Sequence, residues 1–244
     1  MPSILSLNLA CSKHDEEHDN GLHKRLPELT KILLENSETA GVIALQEIRA
    51  TGDMTVKDVV TYIQTALGEK WRAFSCPVND SANSFWRVTL WDSSRIKLVK
   101  HVHTHLPTAS GKDCSYLTSY FLDTWAHKKF AVCNAHAPME LEVKYSYWRE
   151  LIKEVTSSKI PIIVVGSLNK FAEERTLYNV LLDDLIDNVG YEETFSSYPY
   201  DTNSHGNPYN SSLDAAITTT VCPTEVIDTN RASDHSLIRV HRVP

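Results

Sequence analysis

The chain alternates between two hydrophobic periods, and each change of period marks an element. Ser3–Leu9 (SILSLNL) is a compact apolar run and predicts a strand. Leu22, Leu26, Leu29 and Leu33 recur at steps of four, three and four, one helical stripe with Pro27 tolerated near its first turn. Val42–Gln46 predicts the next strand. Val56, Val59, Val60, Ile63 and Leu67 make a second helical face, stopped by Gly68. Phe85–Trp91, Arg95–His101, Ser115–Asp123 and Lys129–Ala135 are rich in β-branched and aromatic residues and broken by polar turns, so the middle of the chain predicts β hairpins. A third helix follows, with Leu141, Tyr145, Trp148, Ile152 and Val155 as its stripe. Ile160–Gly166 (IPIIVVG) is continuously apolar, as in a strand buried on both faces. A short helix around Glu173–Leu182, a polar loop from Ser196 to Ser212 and two or three closing strands complete the pattern. Mixed sheets flanked by helices imply a layered α/β architecture. No repeat, linker or composition break interrupts residues 1–244, so one domain is expected.

Composition narrows the class. Of 244 residues, 42% are apolar and 23% charged, with Gly 8 and Pro 10, which excludes a disordered or collagenous chain. A domain of this length buries roughly 70–75% of its unfolded surface and needs no staple. The apolar runs are too short for a bilayer span, and the N-terminus lacks the layout of a signal peptide, so a soluble protein is expected. Net charge is −7 and the pI about 5.9, which argues against a large basic surface for nucleic acid. It leaves room for an enzyme that meets phosphate with a metal cation and a few local Arg or Lys residues. The five cysteines (Cys11, Cys76, Cys114, Cys133, Cys222) are scattered, with no CxxC and an odd total. That is neither a zinc framework nor a disulfide scaffold, and reduced thiols in a cytoplasmic setting are favoured over a secreted form.

Candidate chemistry collects at strand ends. The first strand closes on Asn8 and the second on Gln46-Glu47. Lys129–Ala135 delivers Asn134-Ala135-His136, and the buried strand delivers Gly166-Ser167-Leu168-Asn169. Leu213-Asp214 opens the expected penultimate strand, and Ser233-Asp234-His235 the last. Singly, each is an ordinary turn former or solvated polar residue. Six such pieces in this order are how a sheet gathers side chains into a site.

The ordered set SLN (Ser6–Asn8), LQE (Leu45–Glu47), NAH (Asn134–His136), GSLN (Gly166–Asn169), LD (Leu213–Asp214) and SDH (Ser233–His235) resembles the endonuclease/exonuclease/phosphatase superfamily from Leu5 to about Ile238. Arg49, two residues after LQE, and His136 look most like its deoxyribonuclease I branch. Sphingomyelinases, phosphoinositide phosphatases and poly(A) deadenylases also carry a histidine at that place. The resemblance implies a four-layer α-β-β-α sandwich, two packed mixed β-sheets flanked by helices, with the site at one edge. It implies hydrolysis of phosphodiesters with Mg²⁺, or Mn²⁺, as cofactor. Glu47 would anchor the metal, with Asn8 and Asp234 completing the site. His235 would take a proton from water, its tautomer fixed by Asp214. Asn169 would donate to the phosphate, and His136 would assist the departing oxygen. Arg49 and Asn134 would contact substrate.

The chain departs from the resembled pattern at Ser167, where the family motif GDxN has aspartate. Serine cannot act as a base near neutral pH, and the expected cost is roughly 10²–10⁶ in turnover. An inactivated form, a natural pseudoenzyme and an enzyme relying on His235 alone are the open readings. The resembled branch also orients its acid histidine with a carboxylate from the segment near Asn83–Arg87, and this chain has none there. Nucleic acid is the leading substrate and a monomer is expected. A lipid or small-molecule phosphate is the second substrate class, and a non-catalytic phosphate-binding protein the alternative of another kind. His101, His103 and His105 alternate, so on a strand they share a face; a metal site and a solvated strand edge are the two readings. Tyr198, Tyr200 and Tyr209 lie in the polar loop before Asp214, where they either stack on a ligand or pack the loop down.

Overall fold

A computed structural model describes residues 2–9, 21–78, 84–106, 114–169, 192–195, 214–218, 223–229, 232–233, 235 and 237–241. In chain order the elements are β1 (Ser3–Asn8), α1 (Leu22–Asn36), β2 (Ala40–Ile48), α2 (Val56–Leu67), β3 (Trp71–Pro77), β4 (Trp86–Asp92), β5 (Ile96–Leu106), β6 (Cys114–Asp123), β7 (Lys128–His136), α3 (Leu141–Ser157), β8 (Ile162–Ser167), β9 (Glu192–Phe195), β10 (Asp214–Thr218), β11 (Thr224–Ile227) and β12 (Leu237–Val240). They form two six-stranded mixed sheets, ordered β11-β12-β1-β2-β4-β3 and β5-β6-β7-β8-β10-β9.

Strand periodicity sorts the apolar side chains into three layers of core. On β1, Leu5 and Leu7 face outward into a cluster with Leu26, Leu29 and Leu33 of α1 and Val59 and Ile63 of α2. Ile4 faces the other way and meets Val42, Phe121, Phe130, Val132, Ile163 and Val165 between the sheets. The second sheet packs its outer face on Tyr147, Trp148, Leu151 and Val155 of α3. The result is the expected α-β-β-α sandwich. The central strands are buried on both faces, which explains their continuous apolar sequence.

Local chemistry sets the boundaries. Thr55 and Asp58 form a reciprocal capping box that starts α2. Gly68, at φ 101°, ends it by turning its N–H onto the carbonyls of Gln64 and Thr65. The third helix differs from its expected stripe. Leu141 is exposed, and the buried positions are Lys144, Tyr147, Trp148, Leu151 and Val155. A lysine and a tyrosine lie inward because the turn after β8 and strand β6 supply carbonyl partners.

Several strands depart from the pattern. β3 was not expected, because an edge strand with Arg72 exposed carries a weak apolar signal. β5 continues past His101 to Leu106, held by pairing with β6 down to Leu106–Cys114. β11 intervenes before β12, so Asp214 opens the third strand from the C-terminal end of the described set. The helix around 173–182 and the loop 196–212 with its tyrosines lie outside the described residues. β5 is the edge strand of the second sheet, and its histidines divide: His105 is exposed, His101 and His103 are half-buried, and among the described residues none belongs to a metal cluster. His101 stacks on Phe74 at 3.8 Å, and the rings of His101 and His103 contact the hydroxyls of Ser119 and Ser115. Among the described residues no helix is long and apolar enough to cross a membrane.

Candidate active site

The two sheets present adjacent strand ends along one edge. Parallel pairing of β1 with β2 sets Asn8 beside Gln46, and parallel pairing of β7 with β8 sets His136 beside Ser167. The antiparallel β10 adds the backbone of Asp214 opposite Ser167. The approach of β7 to β8 depends on Gly166, at φ 136°. A Cβ there would lie 1.9 Å from the carbonyl oxygen of Ala135, so no other residue fits.

Glu47 leaves the strand conformation at φ 55°, where the register of β2 against β4 shifts between Leu45 and Ile48. Such a bulge re-aims a side chain, and here it turns the carboxylate to the edge. Oε1 accepts from Nδ2 of Asn8 at 2.9 Å and lies 3.1 Å from Nε2 of His136. Burial alone would raise the Glu47 carboxyl. The hydrogen bond and charge of His136, the charge of His235 and the Asn8 amide together hold it at about 2.

The remaining strand ends are laced around this carboxylate. The hydroxyl of Ser233 donates to the carbonyl of Asn8 at 2.7 Å and accepts from the backbone N–H of His235 at 3.1 Å. Arg25 of α1 clips both segments, donating to the carbonyls of Leu9 and Ala232 at 3.1 and 2.6 Å. Asn169, at φ 50°, donates from Nδ2 to the carbonyl of Ala137 at 2.5 Å. Its Oδ1 accepts from the buried hydroxyl of Ser167 at 3.4 Å. Beneath this turn the buried Lys144 donates to the carbonyl of Asn169 at 2.8 Å, and the Trp148 indole to that of Leu168 at 3.1 Å. The Tyr147 hydroxyl accepts from the backbone N–H of His136 at 3.0 Å and donates to the carbonyl of Ser115 at 3.2 Å. A cavity of about 240 Å³ opens beside Glu47, His136 and Asn169.

Asn8, Glu47, His136, Ser167, Asn169 and His235 are thus gathered at one edge. Asp234 and the side chain of Asp214 lie outside what is described. Arg49 stands at the rim, its guanidinium 5.8 Å from the Phe85 ring centroid. Asn134 is a correction. Expected to touch substrate, it is fully buried between the sheets. Its Nδ2 donates to the carbonyls of Leu45 and Val88 at 3.1 and 3.0 Å, and its Oδ1 accepts from Gln46 at 2.8 Å. The Gln and Asn of the LQE and NAH runs therefore fasten sheet to sheet and leave Glu47 and His136 to face outward. Arg25, Lys144 and Tyr147 were not expected at the site. Their signal is a polar residue within the buried stripe of a helix.

The donor set fits a hard divalent cation. Such an ion takes one or two protein carboxylates and fills its shell with water and phosphate oxygens. Glu47 offers one ionised carboxylate at the cavity wall, with its side chain 18% exposed. Cys76 and Cys133 do not compete for this role: both are buried, and burial pushes the Cys76 thiol up to about 11.

No family model matches the sequence, and no curated protein matches it. Solved structures match nearly the whole chain. An endonuclease/exonuclease/phosphatase from Bacteroides vulgatus superposes with a TM-score of 0.75 at 11% identity, covering 98% of this chain and 97% of its own. TDP2 from D. rerio, complexed with a single-strand DNA product, gives 0.70 at 16% identity over 98% and 97%. The human Nocturnin catalytic domain with a bound sulfate anion gives 0.65 at 14% identity over 98% and 93%. The chain has the fold of the endonuclease/exonuclease/phosphatase proteins.

Proposed function

We propose that this protein hydrolyses phosphodiesters with a divalent cation, Mg²⁺ or alternatively Mn²⁺, and that nucleic acid is its substrate. The observation that carries the reading is the Glu47 carboxylate, kept ionised at a cavity wall beside His136. Glu47, with Asn8 and Asp234, would hold the cation, which supplies positive charge to the phosphate and acidifies bound water. His136 is placed to protonate or brace an oxygen bound near Glu47. His235 serves as the base, with Asp214 to fix its ring. Asn169 orients the phosphate, its backbone held by Lys144. Ser167 offers a hydroxyl where a carboxylate would activate the nucleophile, so turnover is low. The DNA product held by the zebrafish TDP2 structure supports the choice of nucleic acid.

Hydrolysis of plasmid DNA, single-stranded RNA and bis-p-nitrophenyl phosphate tests this, with Mg²⁺ added or chelated. The protein is assayed beside Ser167→Asp, with Glu47→Gln as the blank. The expected result is cation-dependent cleavage that disappears in Glu47→Gln. Rates equal to the blank in both the protein and Ser167→Asp reject the reading.

A further inference from the structure

Among the described residues the 240 Å³ cavity has three polar lining residues, Glu47, His136 and Asn169. Away from Glu47 and His136 its wall is made by Val78, Phe85, Cys114, Pro138 and Met139. These side chains have no role in handling a phosphate. Met139 is apolar yet 61% exposed, at the mouth of a cavity continuous with the candidate active site. Apolar surface kept open beside polar catalytic groups is what a ligand covers.

The wall is built rather than incidental. The backbone N–H of Val78 donates to the carbonyl of Phe85 at 2.8 Å, closing the ends of β3 and β4 onto each other. The carbonyl of Val78 accepts from the Ser115 hydroxyl at 2.8 Å, tying that pair to β6 of the other sheet. The Phe85 ring is set between the Arg49 guanidinium and the edge of His136, whose centroid is 6.5 Å away at 83°. Size narrows the occupant. An apolar cavity of about 150 Å³ already accepts benzene. The volume here suits one six-membered ring beside a phosphate and does not suit two stacked bases.

We propose that this apolar half-cavity is the subsite for one planar, uncharged ring carried by the phosphate ester, either a nucleobase or an aryl group. The ring lies against Phe85 and Met139 while the phosphate lies at Glu47 and His136. The inference rests on the phosphodiesterase reading and deepens it. A ring in this cavity has left any base stack, so a strand end or a mononucleotide is a ligand and the interior of a duplex is not.

Paired ligands that differ only in the ring test this. Phenylphosphonate is compared with methylphosphonate, and thymidine 5′-phosphate with deoxyribose 5-phosphate, by titration calorimetry of the full chain in Mg²⁺. In at least one pair the ring-bearing member is expected to bind about 10- to 50-fold tighter. A gain with the thymidine pair identifies a nucleotide, and a gain with the phenyl pair alone identifies an aryl ester. Val78→Phe fills the cavity and is expected to cut the contrast below about threefold. Met139→Ala, at an exposed position, weakens it without threatening the fold, so the test stands even if Val78→Phe fails to fold. Equal affinity within both pairs overturns the subsite, as does a contrast that survives both variants. Binding needs no turnover, so the two readings fail separately. A ring contrast without hydrolysis of bis-p-nitrophenyl phosphate removes the activity and keeps the subsite. Hydrolysis without a ring contrast removes the subsite alone.

Discussion

Oε1 of Glu47 lies 3.1 Å from Nε2 of His136, and this contact joins the two sheets at the edge where their strands end. Glu47 comes from a bulge in β2 of the first sheet and His136 from the last residue of β7 in the second. In this pair each sheet supplies one partner. Behind them the Gln46–Asn134 hydrogen bond, 2.8 Å and fully buried, holds the same two strands in register. The polar edge is therefore an outcome of sandwich packing, and its geometry is as rigid as the core that it caps.

The Glu47 carboxyl gives a stability prediction with a definite sign. Its folded value, about 2, lies below the ordinary 4.5. A depressed carboxyl contributes stability that is fully present above the unfolded value and is lost as pH falls through the folded one. Urea titrations of the protein and of Glu47→Gln from pH 7 to pH 2 should therefore differ by a constant amount down to about 4.5. The difference should then shrink between about 4.5 and 2. A gap that instead closes between pH 7 and 5 shows that the carboxylate is not held down in the folded protein.

Ser167 is buried, and among the described residues its hydroxyl reaches only Oδ1 of Asn169, at a long 3.4 Å. A hydroxyl so placed organises little, so Ser167→Ala should change turnover less than about threefold. Ser167→Asp introduces a carboxylate at the same strand end and should raise turnover by about 10² or more. Initial rates on bis-p-nitrophenyl phosphate under saturating Mg²⁺ decide it. A large loss in Ser167→Ala would assign the serine a direct role.

Much of the fold was legible because its central elements are strongly periodic. All four leucines expected in the α1 stripe are buried, and β8 is buried along its whole length. Elements whose stability comes from a neighbour were not legible. β3 is an edge strand that exists through pairing with β4, and the outer half of β5 exists through β6. Strand-end position singled out Glu47, His136, Ser167 and Asn169, which the structure gathers at one edge. It misassigned Asn134, because position in a motif does not say which face of the sheet a residue takes. It passed over Tyr147 and Lys144, since a polar residue on a helix reads as solvated until the opposing backbone carbonyls are in place.

Asn134 should matter for stability and not for substrate. Removing its amide strands the carbonyls of Leu45 and Val88 and the side chain of Gln46 in the dry space between the sheets. Losing several buried partners at once should cost about 2–4 kcal/mol. Asn134→Leu, similar in size, should lower the unfolding free energy obtained from urea titration by that amount while leaving KM within about twofold. A selective rise in KM with unchanged stability would return Asn134 to the substrate surface.

Tyr147 offers the cleanest separation of positioning from chemistry. Its hydroxyl accepts from the backbone N–H of His136 at 3.0 Å and donates to the carbonyl of Ser115 at 3.2 Å, so it pins the end of β7 to β6 from below. The ring itself is fully buried and packs edge-on against Tyr116, so Tyr147→Phe keeps the packing and deletes one oxygen. The His136 N–H then loses its partner, which should cost about 1–2 kcal/mol in stability. Freed by a few tenths of an ångström, the imidazole should serve the departing oxygen less well. The expected effect is a fall in kcat of about tenfold with KM nearly unchanged, because Glu47 and Asn169, which would hold the cation and orient the phosphate, stay in place. A purely structural tyrosine would instead lower the melting temperature with no change in kcat at 25 °C. Comparing kcat and KM of Tyr147→Phe well below its melting temperature distinguishes the two.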